Sequence, residues 1–191
     1  LADGSTSNKN YYFKGLTLEN QTKKVAVILG SDSDLPVMLG CLKTLQRDQI
    51  PYEIHIISAH RTPEAAAVFS SSARENGFGV LIAAAGKAAH LAGILAAHTT
   101  LPVIAVPIKS STLDGLDALL SSVQMPKGVP VATVAIDGGD NAAILAEQIL
   151  GVFDAGVAER LSTAKENMKQ EIQAKDQAIA EQAQAMLDAQ K

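Results

Sequence analysis

The sequence predicts a three-layer α/β sandwich: one domain built on a parallel sheet of about five strands. Two observations carry this. Short, apolar, β-prone runs recur at residues 25–29, 53–58, 80–85, 103–107 and 131–136, and helical patterns separate them. Such alternation implies right-handed βαβ crossovers with helices covering both faces of the sheet. A length of 191 residues and a hydrophobic content of 47% fit one globular domain with a sizeable core rather than two.

The elements follow in order. Residues 1–22 are polar, Asn- and Lys-bearing and aperiodic, which reads as a flexible extension or a remnant of expression; the α/β domain is taken as residues 23–191. After the first strand, Pro36 stands two residues past Asp34, and after the second, Pro63 directly follows Thr62. Each loop thus offers a capping oxygen beside a proline that suits a first helical turn. In the first helix Val37, Met38, Cys41, Leu42 and Leu45 recur at helical spacing, which makes Cys41 a core residue rather than a nucleophile. Residues 88–98 are apolar nearly all round, a pattern of burial that extends to contact with another subunit. After Gly151 the composition turns to Ala, Gln, Glu and Lys, and residues 158–191 contain neither Pro nor Gly. One long helix is predicted there, with a thin, irregular apolar stripe at Leu161, Ala164, Met168, Ile172, Ile179, Met186 and Leu187. The stripe points to docking along a neighbouring subunit rather than to a regular coiled coil.

Composition excludes several classes of function. A net charge of -4, no Trp and 4% aromatic residues provide neither an electrostatic track nor stacking platforms for nucleic acid. No apolar run approaches the roughly 20 residues that span a bilayer. A single cysteine forms no intramolecular disulfide and no Cys-cluster metal site. His90 and His98 lie too far apart along a helix to share a metal, and His55 sits within a strand, so no metal is expected. The first residues lack the apolar centre of a secretory signal. A cytoplasmic protein acting on a small molecule is the expectation.

In an open parallel sheet, ligands sit beyond the carboxyl ends of the strands. The first such loop, Gly30-Ser31-Asp32-Ser33-Asp34, offers hydroxyls and an acceptor for ribose, and leads into a helix N-terminus that favours an anion. It matches neither the Walker pattern nor GxGxxG, so neither a nucleoside triphosphate nor NAD is supported. The second, Ser58-Ala59-His60-Arg61-Thr62-Pro63, sets an imidazole able to move protons in both directions near neutrality beside a planar cation that suits phosphate or carboxylate. The third, Ala85-Gly86-Lys87-Ala88-Ala89-His90-Leu91, is small enough to admit a planar ring close to the backbone. A receiver-domain reading fails because the third strand ends without a carboxylate.

These three loops, followed by Gln124-Met125-Pro126-Lys127-Gly128-Val129-Pro130-Val131, occur in the order seen in the PurE family of purine biosynthesis, which the chain resembles over residues 24–153. The resemblance implies a flavodoxin-like fold with strand order 2-1-3-4-5 and a homo-octamer with sites near subunit interfaces. It further implies the bacterial mutase class, which converts 5-(carboxyamino)imidazole ribonucleotide to its carbon-4 carboxylate isomer without a cofactor. By position, Ser31 and Asp34 match substrate-binding residues, and Ser33, Ser58 and Arg61 match the phosphate site. His60 matches the catalytic acid/base, and Ala85, Gly86 and Ala88 match the loop facing the base and the migrating carboxyl group. Lys87 stands where Gly is commoner and Ala92 where Pro is usual. The alternatives are a carboxylase that takes aminoimidazole ribonucleotide and free CO₂, and a nucleotide-binding module without catalysis.

Overall fold

A computed structural model of the chain describes residues 22–189. Five strands, β1 (Lys24–Leu29), β2 (Tyr52–Ile56), β3 (Phe78–Gly86), β4 (Val103–Ile108) and β5 (Ala132–Thr133), form one sheet in the order β2-β1-β3-β4-β5. Between and after them run α1 (Leu35–Arg47), α2 (Pro63–Ser72), α3 (Leu91–His98), α4 (Leu116–Val123), α5 (Gly139–Gly151) and α6 (Ala155–Asp188). Every strand pairing is parallel. This is the parallel α/β sandwich that the sequence pattern predicts, with the flavodoxin-like strand order that the family resemblance implies.

The period-two alternation of a strand divides the interior into two cores. In β1, Val25, Val27 and Leu29 meet Met38, Cys41 and Leu45 of α1 and Ala142 and Ala146 of α5. Ala26 and Ile28 point the other way, into the core that contains Ala66 of α2 and Leu91 and Leu95 of α3. Because both faces are covered, the central strands read as continuous apolar runs rather than as alternating ones. Ile28 and Ile82 are fully buried, and burying each such side chain is worth roughly 1.5–3 kcal/mol. Leu95 also lies wholly inside this core, so it is the chain's own sheet that buries this side of α3. Cys41 sits in the core as expected, and burial, with Asp140 and Glu147 nearby, pushes its thiol up to about 12.

One charged residue interrupts the packing. Glu147 of α5 is 1% exposed and lies beside Asp48, whose carboxylate is held by two hydrogen bonds from Arg47, Nε to Oδ1 at 2.8 Å and Nη2 to Oδ2 at 2.6 Å. Burial first, and then the charge of Asp48, raise the Glu147 carboxyl to about 7, against the pull of Arg47 and Arg160. Protonated, Glu147 donates to Asp48; its Oε1 has no partner.

Some boundaries differ from expectation, for local reasons. Asp34 does not cap α1: its Oδ2 turns back to accept the Ser31 N–H at 3.1 Å, closing a capping box on the 3₁₀ turn Asp32–Asp34. Thr62 does not cap α2 either, because its hydroxyl donates to the Ser58 carbonyl and accepts the Ser58 N–H, both at 3.0 Å. The prolines nevertheless occupy the first turns of both helices. The fifth strand shortens to two residues at the sheet edge, where only the Val134 N–H to Ala105 carbonyl bond (3.1 Å) and the Asp137 N–H to Pro107 carbonyl bond (2.9 Å) extend its attachment. Helix α3 begins at Leu91 rather than at 88, since Lys87 takes a left-handed φ of 57° and holds the preceding residues in a loop. Helix α6 begins at Ala155, three residues early, because Oδ1 of Asp154 accepts the N–H groups of Gly156 and Val157 at 3.0 and 3.1 Å. The expected polar extension lies outside the described residues except for Thr22, whose hydroxyl donates to Asp154 at 2.6 Å. No helix among the described residues is long and apolar enough to cross a membrane.

Candidate active site

The loops that follow β1, β2, β3 and β4 converge on a cleft of about 600 Å³. Ser31, Ser33 and Asp34 line it from the first loop, Ser58, His60 and Arg61 from the second, and Ala85, Gly86 and Ala88 from the third. The topology brings together these nine candidate residues of the first three loops, although the sheet order places β2 and β3 on opposite sides of β1, whereas the fourth motif, residues 124–131, does not line the cleft.

In the first loop the hydroxyls are organised among themselves. Ser31 Oγ donates to Asp32 Oδ1 at 3.0 Å and accepts from Ser33 Oγ at 2.9 Å. Asp34 is 7% exposed. Burial raises its carboxyl above the usual range, while hydrogen bonds from the Ser31 backbone and the Ser33 side chain act the other way. The anchored Asp34 fixes the loop and keeps an acceptor at the cleft wall.

The second loop presents the cation. Ser58 Oγ accepts from the Arg61 backbone N–H at 3.2 Å and from its Nε at 3.4 Å, and Arg61 Nη2 donates to the Gly30 carbonyl at 3.5 Å. All these partners are neutral, and Arg61 enters no ion pair among the described residues. Its charge is therefore available to an anion that enters between the first two loops.

His60 has a partner that the sequence does not disclose. Its Nε2 lies 2.7 Å from Nδ1 of His90, with the rings edge to face at a centroid distance of 4.9 Å. One of the two facing nitrogens must carry a hydrogen and the other must not, so the contact holds one proton between two imidazoles. His60 Nδ1 has no partner among the described residues. Histidine spacing tests His90 only as a metal ligand; its position after the third strand is the signal that ranks it with His60. Lys109, Ser110 and Ser111, also in the cleft wall, escape a strand-end rule confined to the first three strands and follow once it extends to the fourth. The Lys109 N–H donates to Asp137 Oδ1 at 2.8 Å and its Nζ pairs with Asp114 at 3.1 Å.

Two glycines set the shape here. A Cβ on Gly86 would lie 3.1 Å from the Ile108 carbonyl oxygen, so the third loop stays close to β4. Gly115, which begins α4, takes φ +92°, and a Cβ there would lie 2.7 Å from Ile136 Cγ2 and 3.2 Å from Lys109 Cα. Among the described residues, no cluster of three or more His, Cys, Asp or Glu side chains is placed to hold a metal ion.

Fold and cleft together define a flavodoxin-like α/β domain whose strand-end loops pair an unneutralised arginine with two hydrogen-bonded histidines. A family model described as AIR carboxylase matches residues 24–171. The chain belongs to that family. It is 51% identical over 166 residues to the N5-carboxyaminoimidazole ribonucleotide mutase of Pyrococcus horikoshii, covering 87% of this chain and 94% of that one. It is 53% identical over 156 residues to the enzyme of the same name from Thermotoga maritima, covering 82% and 91%. The phosphoribosylaminoimidazole carboxylase of Saccharomyces cerevisiae is 47% identical over 165 residues, which are 86% of this chain but 29% of that longer protein. Among solved structures, the PurE of Treponema denticola superposes with a TM-score of 0.74 at 29% identity, covering 81% of this chain and 96% of that one.

Proposed function

We propose that this chain is a 5-(carboxyamino)imidazole ribonucleotide mutase of purine biosynthesis, which moves a carboxyl group from the exocyclic nitrogen to carbon 4 of the imidazole. One observation carries the reading: His60, Arg61 and the Ser31 to Asp34 loop meet in one cleft, in a chain about half identical to full-length relatives named as that mutase. The phosphate sits on Arg61, Ser58 and Ser33, the ribose hydroxyls on Ser31 and Asp34, and the ring against Ala85, Gly86 and Ala88. Small side chains there leave the migrating carboxyl group room beside the ring.

His60 performs the chemistry. With Nε2 engaged by His90, Nδ1 serves the substrate. It donates a proton to the carbamate nitrogen, the N–C bond breaks and CO₂ is released into the cleft. Carbon 4 attacks that CO₂, a C–C bond forms, and His60 takes up the proton that carbon 4 loses. Donation and uptake balance, so the reaction consumes no proton overall and needs no cofactor. The short contact with His90 keeps Nε2 engaged throughout, so the proton that leaves and returns is the one on Nδ1. The pocket must keep the CO₂ from solvent between the two steps.

The direct carboxylase is the second reading, favoured by the name of the yeast relative. Label in the carbamate carbon separates the two. A mutase returns most of the label in product even when unlabelled bicarbonate is abundant, after subtraction of spontaneous carbamate decay. Loss of the label, with comparable turnover from bicarbonate and aminoimidazole ribonucleotide, overturns the mutase reading.

The same reading includes residues 23–191 as one cytoplasmic domain that assembles with copies of itself, as an octamer. Apolar side chains left exposed on α4 (Leu116, Leu120 and Val123) and at the β2 edge (Ile54 and Ile56) support self-association. Light scattering of the full chain tests it, and a monomer at micromolar concentration would refute it.

A further inference from the structure

Lys87 stands between Gly86 and Ala88 in the wall of the cleft, and the reaction described above gives it no task. Its backbone is left-handed, with φ 57°, a conformation that glycine adopts freely and that costs other residues about 1 kcal/mol or more. Gln49, Asp114 and Asp137 share it, each with a local hydrogen bond or ion pair. Gln49 closes the turn after α1, its N–H on the Gln46 carbonyl at 3.2 Å. Asp137 accepts the Lys109 N–H at 2.8 Å, and Asp114 pairs with the Lys109 Nζ at 3.1 Å. Lys87 is exposed, and its ammonium enters no hydrogen bond or ion pair among the described residues. No side-chain contact offsets its strain.

The charges of the cleft point to a role for it. Among the described residues, the lysines and arginines that line the cleft are Arg61, Lys87 and Lys109. Lys109 is paired with Asp114, which leaves two without a counter-ion. The nucleotide assigned to this cleft likewise carries two anionic groups, a phosphate and a carboxyl. Arg61, on the second loop beside Ser58, takes the phosphate. Lys87 is flanked by the residues set against the ring and the migrating carboxyl group, and its flexible stem gives the ammonium reach over that side of the cleft.

We propose that Lys87 holds the substrate's carboxyl group, so that the cleft prefers carboxylated ribonucleotides to aminoimidazole ribonucleotide, which has the same phosphate and ring without the carboxyl. The proposal rests on the mutase reading of the cleft. The migrating group is an anion in substrate and product and neutral only as CO₂ between them. A cation beside it favours the two bound ends over the intermediate, which makes Lys87 a residue of binding and specificity rather than one that speeds C–N cleavage. Titration calorimetry with the carbon-4 carboxylate product and with aminoimidazole ribonucleotide reads the preference. In Lys87→Met, which keeps the stem and loses the charge, the product should bind about fivefold more weakly at low salt, the reach of one exposed ion pair, while aminoimidazole ribonucleotide binds as it does to the parent. Lys87→Arg should retain the preference, and salt of about 1 M should erase the difference between parent and Lys87→Met. Lys87→Gly removes the strain together with the charge; it should show the same loss with a Tm no lower than the parent's, which separates a lost contact from a lost fold. Equal weakening of both nucleotides would place the charge on the shared phosphate and overturn the proposal, as would unchanged affinity for both. A parent that binds neither nucleotide would overturn the reading of the cleft, and the proposal with it.

Discussion

Replacing Glu147 by glutamine removes an ionisable group from the α1/α5/α6 packing while preserving its size and its donation to Asp48. Burial, reinforced by the Asp48 charge, raises the Glu147 carboxyl from the ordinary 4.5 to about 7. The folded state therefore holds this proton more tightly than the unfolded chain does. Between pH 4.5 and 7 the unfolded chain has lost the proton while the folded one retains it, so stability falls as pH rises through that window and levels off above it. The move from 4.5 to about 7 corresponds to about 3 kcal/mol, at roughly 1.4 kcal/mol for each pH unit. An amide in its place carries no such penalty. The Glu147→Gln variant should match the parent near pH 4.5 and exceed it by about 3 kcal/mol at pH 8, which is roughly 6–12 °C in Tm for a chain of this size. Thermal unfolding of both proteins at one concentration, followed from pH 4.5 to 8.5, gives the difference directly, and titrations common to both cancel. A gap that does not change with pH, or a parent more stable at pH 8, would refute the reasoning.

His60→Asn should bind the ribonucleotide yet lose about 10²–10⁴-fold in kcat, since an amide keeps much of the hydrogen-bonding shape but cannot shuttle a proton; near-normal turnover by the folded variant would remove His60 from the chemistry. Arg61→Ala should act mainly on KM, because a phosphate remote from the ring contributes equally to ground and transition states. Steady-state kinetics check this, and equal affinity of the parent for dephosphorylated substrate would contradict it. Gly115→Ala should destabilise the fold by about 1–3 kcal/mol, from left-handed strain and the contact with Ile136 and Lys109; a denaturant midpoint identical to the parent's would show that the turn relaxes freely.

What the sequence discloses depends on whether the signal is local. The apolar runs and the two helix-starting prolines disclose the layers and order of elements, because burial on both faces of a parallel sheet leaves continuous hydrophobic stretches. The caps at Asp34 and Thr62 do not follow from pattern: each side chain has a second backbone group within reach, Ser31 N–H for one and the Ser58 backbone for the other, and pattern alone does not choose between them. The cleft residues on the first three loops are legible from strand ends. The contact of His60 with His90 joins residues 30 apart, in loops that follow two strands separated by β1, and no spacing rule records it. Glu147 is hidden for the opposite reason. It occupies a buried position among Ala143, Ala146 and Leu150, where helical periodicity predicts an apolar residue and a charged one reads as solvent-facing.

The order in which the chain delivers its parts has a bearing on how the protein is made. Every residue lining the cleft falls between Gly30 and Ser111, whereas α5, which covers β1, β3 and β4 on one side, ends at Gly151. All the cleft-lining groups therefore leave the ribosome about 40 residues before that cover is complete, a lag of seconds at about 5–20 residues per second. During that interval a naked apolar sheet face coexists with a fully synthesised set of cleft loops. Until α5 arrives, that sheet face is the stretch of the nascent chain most exposed to wrong apolar contacts.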